Sequence, residues 1–92
     1  MPFTVYVLRS LRNGRRYTGF TSRAVEDRLA EHNRGYPPGW SSRNGPFTVE
    51  YTEVWDAEPE ARAREHFLKS GQGREWLGSR VPAYPPEAGG DS

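Results

Sequence analysis

A chain of 92 residues with net charge +1, 34% hydrophobic content and twelve aromatic side chains fits one small domain with a modest core. The absence of cysteine excludes a disulfide framework and a thiolate zinc site. No apolar run approaches the roughly 20 residues that a membrane-spanning helix needs.

Met1-Pro2-Phe3 leads into the first strand without a signal-type apolar segment, so a cytoplasmic location is expected. Thr4-Val5-Tyr6-Val7-Leu8 and Tyr17-Thr18-Gly19-Phe20 are β-branched and aromatic runs flanking Asn13-Gly14, the dipeptide suited to a type I′ hairpin turn. A two-residue loop there predicts Leu8 opposite Gly19 and Ser10 opposite Tyr17. Tyr6 and Tyr17 then share a face, and Gly19 leaves a bare patch beside both phenols where a substrate backbone could approach.

Thr21-Ser22 is expected to cap a helix over residues 23–33. Glu26 and Asp27 suit its start, Gly35 its stop, and Val25 and Leu29 mark its core stripe. Arg28 and His32 are i, i+4 neighbours at the edge of that stripe, partly in water. Residues 34–46, with Pro37-Pro38-Gly39 and Asn44-Gly45-Pro46, read as an irregular loop. Trp40 within it either covers the core edge or offers a stacking surface to an unpaired base.

Residues 47–55 form the third strand, with Phe47, Val49 and Tyr51 alternating against Thr48, Glu50 and Thr52. Asp56 is expected to cap a second helix carrying Pro59 in its first turn and Ala61, Glu65 and Leu68 on its core face. Gly71 and Gly73 break it, and residues 74–77 add one helical turn. Residues 81–92 are Pro, Gly, Ala and acidic residues without a period, expected to be a flexible tail on a domain of residues 1–80. The expected fold is α/β, a small three-stranded antiparallel sheet flanked by helices.

Residues 1–50 hold eight Arg against four acidic residues, whereas residues 51–92 hold five basic against eight acidic. Arg suits bidentate phosphate contacts, but genome composition produces the same bias, so the asymmetry supports nucleic-acid binding only weakly. Glu65 carries more information. A carboxylate on a core-facing stripe is costly unless compensated, by Mg²⁺ with one carboxylate and water, or simply by an i, i+4 pair with Lys69. Each bland alternative stands singly: a strand tyrosine with a wet hydroxyl, Arg28 paired with Glu31 or Glu26, His32 as a boundary residue.

Thr4-Val5-Tyr6, ten residues, then Tyr17-Thr18-Gly19 resembles the paired tripeptides of the GIY-YIG nuclease superfamily. Arg28, His32, Glu65 and Lys69 follow in the order of that family, and the likeness runs to about residue 80, nearest to its small single-module members. The resemblance implies a metal-dependent DNA endonuclease, acting on damaged, branched or single-stranded forms. Tyr6 would be the general base, Tyr17 would orient water or phosphate, Arg28 would stabilise the phosphate, and His32 would support the tyrosines. Glu65 would hold one divalent metal, Mg²⁺ or Mn²⁺, at the leaving 3′ oxygen. Gly19, Arg16, Arg43 and Lys69 are the candidate substrate contacts. Many members place an asparagine after the last helix. None occurs here beyond Asn44, and Gln72 is the amide that could stand in. Specificity without a second domain would come from structure recognition, a homodimer or a protein partner. The competing class is a nucleic-acid-binding module on the same scaffold that does not cut.

Overall fold

In the computed structural model, which describes residues 2–36 and 38–80, β1 (Phe3–Ser10) and β2 (Arg16–Thr21) form the expected antiparallel hairpin. Its register is two residues from that of a tight turn: Tyr6 faces Gly19 and Leu8 faces Tyr17. Ser10 is the cause. Its Oγ accepts from the amides of Arg12 and Asn13 at 3.0 and 3.1 Å, and its amide donates to the Arg15 carbonyl at 2.8 Å. A side chain that captures backbone donors opens the turn. A slip of two preserves faces, so Tyr6 and Tyr17 still point the same way.

β3 (Phe47–Trp55) pairs with β1 on its other side, giving the order β2-β1-β3. Strict alternation fails within β3. Val7 pairs with Tyr51 but Leu8 pairs with Val49, so Glu50 is an extra residue in a bulge. Phe47 and Tyr51 consequently pack on opposite faces. Glu50 turns inward to an ion pair with Arg9 and another with Arg16, whose Nε donates at 2.8 Å.

Among the described residues, four helices cover the sheet. α1 (Val25–Asn33) and α2 (Trp40–Asn44) belong to the face carrying Tyr6, Leu8 and Phe47. α3 (Glu58–Lys69) and α4 (Gly71–Gly78) pack on Val5 and Val7 through Ala61, Leu68 and Leu77. The helix ends differ from expectation. α1 begins after Ala24 without a side-chain cap, because Thr21 Oγ1 instead accepts from the Arg23 amide at 3.0 Å. Ala57, not Asp56, precedes α3. α4 is a full eight-residue helix, capped by Ser70 Oγ accepting from the Gly73 amide. α3 ends at Lys69, ahead of Gly71 and Gly73 as expected, and Gly73 lies inside α4: a Cβ there would fall 1.8 Å from the Phe67 carbonyl oxygen, so its bareness lets α4 lie on the end of α3. The expected loop over residues 34–46 contains α2. The expected tail, residues 81–92, lies outside the described residues.

Candidate active site

Tyr6, on the central strand, is 1% exposed, and its ring lies 6.4 Å from that of Tyr17 at an interplanar angle of 30°. The bare patch at Gly19 is filled from within. A Cβ built there would stand 2.8 Å from the Tyr6 hydroxyl and 3.2 Å from a Tyr17 ring carbon, so the glycine makes room for the phenols rather than for a substrate backbone.

α1 brings two side chains to this pair. Arg28 Nε donates to the Tyr6 hydroxyl at 3.4 Å, while its Nη1 donates to Glu31 at 2.6 Å. Glu31 also accepts from Arg23 at 2.7 Å, and that bond foremost holds its carboxyl below the usual range. His32 is fully buried rather than at a wet boundary. Its Nδ1 lies 3.0 Å from Ser41 Oγ, and its ring centroid is 4.4 Å from that of Tyr17. Burial, then the Arg28 charge, pushes the imidazole below its ordinary value. The ring is therefore neutral at physiological pH.

Glu65 on α3 has a side chain 14% exposed, and its Oε2 lies 3.0 Å from the ammonium of the exposed Lys69. Its charge also reaches Tyr6, which carries five influences in order. Burial raises the phenol pKa, the hydrogen bond and charge of Arg28 lower it, and Tyr17 and then Glu65 raise it slightly; the net direction is up. Tyr6 rests as a neutral phenol. The described residues hold no group of three or more His, Cys, Asp or Glu side chains that could hold a metal ion, so an ion at Glu65 would take one carboxylate with water completing its shell.

Two concavities adjoin these groups. One, of about 430 Å³, is lined by Arg16, Tyr17, Trp40, Lys69 and Arg74 among others. Arg16 enters it already paired with Glu50, and Arg43 stands exposed on α2 outside its lining. Trp40 stacks on Phe47 at 5.5 Å and 15° and lies 5.7 Å from Tyr17, so it covers the core edge. The second, about 730 Å³, is lined by Arg23, Arg28, Glu31, Arg34 and Tyr36. Gln72 is exposed in the first turn of α4.

Sequence reasoning missed Ser41, Arg34, Tyr36 and Arg74. The i, i+2 spacing of Arg34 and Tyr36 at a helix end carries no periodic signal. Ser41 was hidden in a segment read as loop, and Arg74 joins the cleft only because Gly73 lets α4 close on α3.

Residues 2–76 match the family described as the GIY-YIG catalytic domain. A UPF0213 protein of Halobacterium salinarum is 38% identical over 65 residues, 71% of this chain and 82% of that protein. A second, from Natronomonas pharaonis, is 39% identical over 72% of this chain and 75% of its own length. The solution NMR structure of a UPF0213 protein from Bacillus halodurans superposes with a TM-score of 0.52 at 30% identity, covering 87% of this chain and 85% of that one.

Proposed function

Because this chain belongs to the GIY-YIG family, we propose that it is a metal-dependent endonuclease that hydrolyses DNA phosphodiester bonds, with residues 1–80 as the working unit. One observation above all supports the reading: the buried Tyr6 phenol receives a hydrogen bond from Arg28 of α1 and lies beside the Tyr17 ring of β2. Hydrolysis needs a base for water, a cation for the phosphate and help for the leaving oxygen. Tyr6 takes the base role, with the Arg28 fork on a non-bridging oxygen and Tyr17 orienting water or phosphate. His32 backs Tyr17 through ring contact. Arg16, Arg43 and Lys69 are the outer contacts to the strand, to which Arg74 is added from the cleft.

Glu65 would hold the divalent ion, Mg²⁺ or Mn²⁺, which when bound supplies Lewis-acid neutralisation of the leaving 3′ oxygen. Neutralising Glu65 also removes one of the charges that keep Tyr6 protonated. DNA that is damaged, branched or single-stranded is the preferred substrate, with a second copy or a protein partner supplying further selectivity.

One observation favours the second reading, a module that binds nucleic acid without cutting: burial raises the Tyr6 pKa, so the phenol is not primed as a base. Nicking assays on duplex, single-stranded and branched DNA with Mg²⁺, Mn²⁺ or chelator separate the two. Metal-dependent cleavage is the expected result; binding to all three without cleavage supports the second reading.

A further inference from the structure

His32 and Ser41 come from different helices, and both are sealed from solvent, at 0% and 1% exposure. Nδ1 of the imidazole lies 3.0 Å from Ser41 Oγ, and Nε2 is buried without a hydrogen-bond partner among the described residues. A serine hydroxyl donates or accepts, so the distance is compatible with either neutral tautomer. The surroundings separate them. If Nδ1–H donated to Ser41, the hydroxyl proton would need a second acceptor, and the described residues provide no other hydrogen bond to that oxygen. If Ser41 donates to Nδ1, the hydroxyl and Nδ1 are satisfied together, and the ring proton sits on Nε2. The ring's neighbours are then aromatic, Tyr17 at 4.4 Å and Phe47 at 6.1 Å between centroids, and a π face accepts an N–H weakly.

We propose that Ser41 is a positioning residue of the site: its hydroxyl donates to His32 Nδ1, places the ring proton on Nε2 and holds the imidazole plane against Tyr17. The charged groups near this ring are Arg28 and Glu31 on its own helix, and Tyr17 is the titratable group facing it from β2. Ser41 acts on chemistry only through His32, as outer partners of functional histidines do by fixing tautomer and orientation. The α2 helix thereby acquires a task, presenting one hydroxyl to the back of the site.

Long-range ¹H–¹⁵N correlation on labelled protein near neutral pH reads the tautomer directly. Wild type should show an unprotonated Nδ1 and a protonated Nε2 at His32. Ser41→Ala should move both nitrogens toward a tautomer mixture and lower kcat about tenfold with little change in KM, whereas Ser41→Thr retains the wild-type pattern. The kinetic arm rests on the nuclease reading and the spectroscopic arm does not, so an inactive protein still decides the proposal. A wild-type His32 protonated at Nδ1, or a Ser41→Ala protein with the wild-type tautomer, overturns it.

Discussion

The Tyr6 hydroxyl occupies the space that a side chain on Gly19 would need, 2.8 Å from the Cβ position. The central phenol and the glycine are directly paired across the hairpin, so one residue's bareness sets the other's rotamer. Gly19→Ala should displace the Tyr6 ring, break its long contact with Arg28 and lower stability by about 1–3 kcal/mol. Melting combined with nicking checks this; a variant with parental melting and cleavage would show that the phenol does not need this seat.

Tyr6→Phe keeps the ring packing and removes the hydroxyl, so the fold should survive with most cleavage lost. Burial raises the Tyr6 pKa, and a raised acid adds stability that is fully present below its unfolded value of about 10 and lost as pH rises through the folded one. The variant should therefore lose stability less steeply above about pH 10, with a residual slope from Tyr51, whose pKa is also raised by burial. An unchanged alkaline slope would contradict the buried-phenol account.

His32 works in the opposite sense. Its lowered pKa contributes stability present above the unfolded value of about 6.5 and lost as pH falls toward the folded value. Wild type should melt at progressively lower temperature below about pH 6.5, and His32→Gln should flatten that decline even if it is less stable throughout. Melting series between about pH 5 and pH 8 decide it by slope, not by absolute stability.

Glu50 is predicted to be among the most costly charged residues to alter. Its side chain is 7% exposed and pairs with both Arg9, whose side chain is 9% exposed, and Arg16, so Glu50→Gln removes the carboxylate shared by two guanidiniums. Chemical denaturation should show a loss of about 3–5 kcal/mol. A loss below about 1 kcal/mol would mean that the pair behaves as a surface bridge.

The bulge explains why Glu50 was illegible. Read by period two it is a solvent-facing strand residue, and only the omitted pairing between Val7 and Leu8 turns it onto Arg9 and Arg16. The tyrosine pair was legible because face sharing survives a slip of two residues, although Ser10 defeated the turn geometry that Asn13-Gly14 suggested. The three strands and α1 and α3 followed from β-branched runs, spacing and breakers, whereas α2 lay in a segment expected to be loop and α4 in one expected as a single turn. What escaped were contacts made by small residues between elements distant in sequence: Ser41 to His32, Gly73 to Phe67, Gly19 to Tyr6. Those depend on packing distances that no local pattern encodes.

Glu65→Gln tests the central claim most directly, with nicking and melting measured with and without Mg²⁺ for wild type and variant. The substitution keeps the shape and removes the carboxylate charge that pairs with the exposed Lys69. The account predicts that wild type cuts DNA and is stabilised by Mg²⁺. The variant should melt within about 0.5 kcal/mol of wild type in the absence of metal, gain nothing from Mg²⁺ and lose cleavage by orders of magnitude. A variant that cuts at the parental rate in Mg²⁺ would reduce Glu65 to an ion-pair partner of Lys69 and contradict the account.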